Sequence, residues 1–168
     1  MKRSCHIVAA VLALAAFAAA PAAAEEAVVT YKSLAPDVAL DLARAALAQC
    51  RKDGFQVAVV VIDRFGQPLV VLRDRYAGLA AIQTATGKAW TAVNFSRDTS
   101  ELLTMIRDGQ LSAGLANVPN VVMFAGGLIV KSGGSIIGGA GVAGAPGSDK
   151  DEACAKAGVA AIQDRLDF

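Results

Sequence analysis

The chain has 168 residues, 55% of them hydrophobic, with 16 Lys and Arg against 15 Asp and Glu. The near-neutral balance excludes the basic stripe that electrostatic nucleic-acid binding requires, and the length suits one domain with one core. A single histidine, His6, leaves little imidazole chemistry to place.

Residues 1–24 begin with Lys2 and Arg3, continue in an apolar run over 7–20 and end in Ala22, Ala23 and Ala24 ahead of Glu25. This pattern predicts a secretory signal peptide, a mature domain over 25–168, and a periplasmic or secreted location. The run is short for a membrane span and no other segment is long and apolar enough, so none is expected. Cys5 precedes the run, which rules against a lipoprotein. Cleavage removes Lys2, Arg3 and His6, leaving 14 basic and 15 acidic residues, a net charge of about −1. Without His6 there is no Ser-His or Cys-His relay and no His-ligated metal site. Cys50 and Cys154 remain, and an even pair in an oxidising compartment predicts a disulfide. A reactive thiol or a two-sulfur metal site is the alternative.

PDVALDLARAALAQCRKD, residues 36–53, predicts a helix. Pro36 suits its first position, Asp37 and Asp41 its first turns, Arg51 and Lys52 its last, and Gly54 the left-handed stop. Ala43, Ala46, Leu47 and Cys50 share one face. VAVVVID (57–63) and PLVVLRDR (68–75), joined by RFGQ, predict an antiparallel hairpin, its first strand apolar on both faces and therefore central. Residues 79–95 predict a slim, Ala-rich helix that Gly87 weakens. Asp98 or Thr99 starts a shorter helix to Arg107, with Asp98 and Glu101 at capping-box spacing. GQLSAGLANVPN is loop-like. VVMFA (121–125), LIVK (128–131) and SIIGGAGVAG (135–144) predict three further strands, and 148–165 a last helix. The order α-β-β-α-α-β-β-β-α, a profilin-like one, predicts an α/β (α+β) domain: a five-stranded, mainly antiparallel sheet with packed helices.

Gly139, Gly141 and Gly144 spell G-x-G-x-x-G. A dinucleotide loop needs a parallel βαβ unit, whereas this strand arrives from a hairpin, Pro146 interrupts the approach, and Asp149, Asp151 and Glu152 would repel phosphate. The glycines instead allow another backbone or a flat ligand to come close. Residues 144–147 make a turn, Ser148 is a plausible N-cap, and the acids suit the helix dipole. If the first and last helices lie antiparallel, Cys50 and Cys154 meet, with Ala43, Ala46, Ala157, Gly158 and Ala161 permitting close approach.

VVVIDRFGQPLVVLRDRYAG, GKAWTAVNFSRDTSEL and AGGLIVKSGGSIIGGAGVAGAPGSDKDEACAKAG together resemble the GlcG/HbpS-like (DUF336) family, over about residues 36–166. Leu128 and Ala143 depart from residues often seen there. The resemblance implies an α/β domain with an antiparallel sheet, frequent homo-oligomers, and haem or related tetrapyrrole binding in some exported members. Others have no assigned activity. For haem, Trp90, Phe95, Met105, Met123 and Phe124 could form the apolar slot, and Lys88, Arg97 and Arg73 could meet the propionates. Axial options are Met105, Met123, Tyr76, Thr91, Thr99 or none, and helix capping competes for Thr99. The cofactor-binding set is thus Thr99, Lys88, Arg97, Trp90 and Met105, for carriage or sensing rather than catalysis. Two rival classes are an enzyme using Asp63, Arg73, Asp74, Arg75 and Lys88 as a charged cluster, and an oligomeric accessory subunit of a periplasmic system.

Overall fold

The computed structural model describes residues 27–166; the expected signal peptide, with Cys5 and His6, lies outside them. Residues 27–30 carry no helix or strand and fall to an N-terminal unit, and a second unit starts at Tyr31. Its elements are α1 (Pro36–Lys52), β1 (Ala58–Asp63), β2 (Pro68–Arg73), α2 (Ala81–Phe95), α3 (Thr99–Arg107), β3 (Gly127–Ser132), β4 (Ser135–Ala143) and α4 (Ser148–Ala160), with 3-10 turns at Ala113–Asn117 and Gln163–Arg165.

The sheet is wholly antiparallel, in the order β2-β1-β4-β3. It has four strands among the described residues, where the sequence predicts five. The missing one is VVMFA. Its backbone is spent elsewhere: the Val121 N–H donates to the Val118 carbonyl, and the Val122 N–H donates to Thr91 Oγ1 at 2.9 Å. A β-branched run satisfied by a helix side chain has no ladder left to offer. The last helix is also shorter than expected, turning to 3-10 geometry at Gln163–Arg165.

β1 is central, as its two-sided apolar pattern requires. Val59 and Val61 face α1 and α4, while Ala58, Val60 and Ile62 face α2. Each fully buried valine contributes about 1.5–3 kcal/mol relative to exposure. α1 starts at Pro36 and stops before Gly54 at φ 83°, and its Ala43, Ala46, Leu47 and Cys50 are all buried. α1 and α4 pack against each other, and Cys50 and Cys154 form a disulfide with Cα atoms 5.4 Å apart.

α2 crosses the other face at unusually short range. A Cβ at Gly141 would strike the Ala85 carbonyl, one at Gly127 the Lys88 carbonyl, and one at Gly139 would lie 2.6 Å from Val93. The glycine-rich strand therefore receives a backbone, that of α2. Gly87 serves the same purpose on the helix: its Cβ would strike Val122, so the penalty of a mid-helix glycine is the cost of letting residues 120–122 cross.

Candidate functional site

α2 delivers Lys88 into the protein interior. Its side chain is 2% exposed, and Nζ donates to Asp151 Oδ2 at 2.7 Å and to the Val142 carbonyl at 2.9 Å. Asp151 sits in the first turn of α4, 5% exposed, and its Oδ1 accepts the Ala145 N–H at 3.0 Å. The pair thus joins α2, β4 and α4. Burial lowers Lys88 from the ordinary lysine range, against the opposing hydrogen bond and charge of Asp151. Burial likewise raises Asp151 from the carboxylate range, against Lys88 and the Ala145 N–H. Both groups are pushed toward their neutral forms. They lie on the wall of a hollow of about 450 Å³, with the exposed side chains Leu79 and Phe124 and the turn through Pro146 also lining it.

The other residues expected at the site are dispersed. Thr99 is fully buried; its Oγ1 accepts the Gly127 N–H at 3.0 Å and donates to the Gly127 carbonyl at 3.3 Å. Both contacts pin β3 to the start of α3. Nor does the expected capping box form. Asp98 precedes α3 but accepts the Ile129 N–H at 2.9 Å, and Glu101 faces Arg97. Ser148 does not cap α4; Gly147 holds the N-cap position and no side chain bonds there. Trp90 lines a separate hollow of about 610 Å³ with Gly66, Gln83 and Asn120. Arg97 and Met105 do converge, in a hollow of about 430 Å³ beside α3 that Thr104 and Gln110 also line. Arg97 reaches Glu101 only at 3.5 Å, and both side chains are more than half exposed.

The charged cluster envisaged for an enzyme does not assemble. Asp63 accepts the Phe65 and Gln67 N–H groups at the hairpin turn. Asp74, at the other end of the hairpin, takes the Arg51 guanidinium at 2.5–2.8 Å, and its second oxygen is buried without a hydrogen-bond partner in the structure. Arg73 and Arg75 are exposed beside it, and Lys88 lies with Asp151 instead. The partner missed from sequence was Asp151, whose place among the acids opening α4 already had a sufficient explanation in the helix dipole.

A four-stranded antiparallel sheet covered by α1 and α4 on one side and α2 on the other defines a small α+β domain. The chain belongs to the HbpS-like family, described as haem degrading protein HbpS-like, which matches residues 34–160. It is similar to a double mutant of HbpS from Streptomyces reticuli, with 40% identity and a TM-score of 0.75, covering 85% of this chain and 97% of that one. It is similar also to PduOC solved as a heme complex, with 32% identity and a TM-score of 0.72, covering 77% and 95%. Among curated proteins it matches the corrinoid adenosyltransferase PduO of Salmonella typhimurium, 35% identical over 124 residues, or 72% of this chain and 36% of that protein. The chain therefore spans about a third of the length of the curated relatives it matches.

Proposed function

We propose that this chain binds haem or a related tetrapyrrole and acts in carriage or sensing. The observation that carries the proposal is the likeness to PduOC in its heme complex, 32% identical at a TM-score of 0.72. The family description, haem degrading protein HbpS-like, supports haem as the ligand; carriage or sensing is the reading proposed for this chain.

The side chains beside α3, Arg97, Ser100, Glu101, Thr104 and Gln110 with Met105 as the one apolar member, supply polar partners for the edge of such a ligand. Met105 would offer the iron a weak thioether ligand, and Arg97, only loosely engaged by Glu101, would be free to turn to a propionate. Thr104 and Gln110 add polar contacts at the rim. When bound, haem would supply the colour, redox and gas-binding chemistry of its iron; the residues of this chain hold and orient it. No histidine occurs among the described residues, so ligation by this chain is weak. That favours reversible loading over turnover. Thr99, Lys88 and Trp90 bear on this site indirectly: Thr99 fixes the start of α3, Lys88 ties α2 to Asp151, and Trp90 packs α2 against the sheet, while the end of α2 leads into Arg97.

Export to the periplasm after cleavage near Ala24, and assembly into a homo-oligomer, complete the proposal. No helix among the described residues is long and apolar enough to cross a membrane. Titrating haemin into the purified protein and recording the Soret band tests the function. A saturable change that weakens at least threefold in both Arg97→Ala and Met105→Ala is expected; a non-saturable change in the wild type would overturn it.

A further inference from the structure

Holding α4 against α2 does not require a lysine. An apolar pair of similar volume would serve at less cost, because withdrawing two charges from water carries several kcal/mol of desolvation for each ion. Yet Lys88 and Asp151 are both at least 95% buried at the side chain, 2.7 Å apart, and both line an open-mouthed hollow of about 450 Å³. That volume lies in the range of small-molecule sites.

The ammonium is satisfied on two sides, by Asp151 and by the Val142 carbonyl, and Asp151 is itself anchored by the Ala145 N–H. Amine and acid are thus fixed relative to one another. Burial disfavours the charge on each, against the hydrogen bond and attraction between them, and passage of one proton along the 2.7 Å contact converts the ion pair into a neutral amine and acid. A neutral amine is a nucleophile, and a neutral carboxylic acid beside it is a proton donor; lysines activated by burial react with carbonyl compounds in this way. The hollow's remaining side chains are uncharged, with Leu79, Thr84, Phe124, Pro146 and Ser148 among alanines. No second cationic side chain lines the hollow, and Asp149 and Asp151 open α4 beside it, so the lining favours a short, uncharged carbonyl compound over an anionic one.

We propose that this hollow is a site for short, uncharged aldehydes, which Lys88 captures reversibly as an imine with Asp151 moving the protons. The Lys88 nitrogen lone pair forms a bond to the carbonyl carbon, and the carbonyl π pair moves to oxygen, which takes the proton of Asp151. The nitrogen then returns one proton to Asp151. That proton passes to the hydroxyl, which leaves as water while the nitrogen lone pair closes the C=N bond. The second nitrogen proton stays on the iminium, held by Asp151, or is lost to it. No oxidant or reductant enters, and hydrolysis reverses every step.

The test needs no variant to begin with. The mature protein is incubated with butanal at sub-stoichiometric and then equimolar concentration, reduced with borohydride, digested and mapped by mass spectrometry. A butyl adduct on Lys88 in preference to the exposed Lys32, Lys52, Lys131, Lys150 and Lys156 is expected. Adducts spread over those exposed lysines with Lys88 unlabelled would overturn the proposal. Asp151→Asn then separates the acid's role from simple burial: at least a tenfold loss of labelling at Lys88, with surface lysines unchanged, is expected. Equal labelling at Lys88 would refute the proton transfer assigned to Asp151. Because the readout is the labelled peptide, neither arm depends on haem binding.

Discussion

Replacing Lys88 with methionine keeps most of the side-chain volume and removes the charge, so it isolates what the buried pair contributes. Taking one member from a buried ion pair costs about 3–5 kcal/mol, chiefly because the other is left desolvated. Asp151 retains the Ala145 N–H at 3.0 Å, which places the cost near the lower end, about 3 kcal/mol near neutral pH. In a domain of this size that is a fall in Tm of about 10 °C. The penalty has a definite sign with pH. Burial already raises Asp151, and the variant loses both Lys88 contributions that oppose the rise. Its folded-state pKa then lies further above the unfolded value of about 3.9, so the native state holds the proton more tightly. The destabilisation is complete above the folded pKa and shrinks as pH falls through it. Urea unfolding followed by the fluorescence of Trp90, the only tryptophan, and by circular dichroism reads it directly. Lys88→Met with Asp151→Leu should recover to within about 1 kcal/mol of the wild type, as apolar replacement of a buried pair generally does. A single variant within about 1 kcal/mol of wild type at neutral pH, or one whose penalty does not shrink as pH is lowered through the acid range, refutes the reasoning.

Replacing both Cys50 and Cys154 with alanine opens a covalent loop with a sequence separation of 104, and should lower unfolding free energy by about 4.7 kcal/mol in the chain-entropy model. A urea midpoint unchanged by the double substitution would show that the bridge carries no stability. Gly141→Ala drives a Cβ into the Ala85 carbonyl and to 2.9 Å from the Ala89 nitrogen, where only backbone can yield; a loss of about 2–3 kcal/mol is expected. Gly54→Ala meets nothing within 4 Å and carries only the strain of φ 83°, so about 1 kcal/mol in the same assay is its control.

The fold was legible wherever one local pattern had one solution. α1 could be read from its proline, its charged ends and its glycine stop, and the disulfide from two cysteines near helix ends. VVMFA misled because strand propensity says only that a segment suits a pleated surface; Thr91, 31 residues distant, claims its backbone. Gly87 was seen as a weakness of α2, although the reason for it lies in Val122. At the site, residue types could be chosen but not grouped. Trp90 and Lys88, two apart on α2, point to different hollows. Thr99 was weighed between a ligand and a helix cap, whereas Gly127, 28 residues away, takes both of its bonds. Asp151 lies 63 residues from Lys88, and no local spacing reports such a pair.

The crystal structure of the protein with haemin tests the central claim most directly. Haemin is expected over the hollow beside α3, within reach of Met105 and with Arg97 turned from Glu101 to a propionate. Haemin seated elsewhere, with Arg97 still facing Glu101, would contradict it.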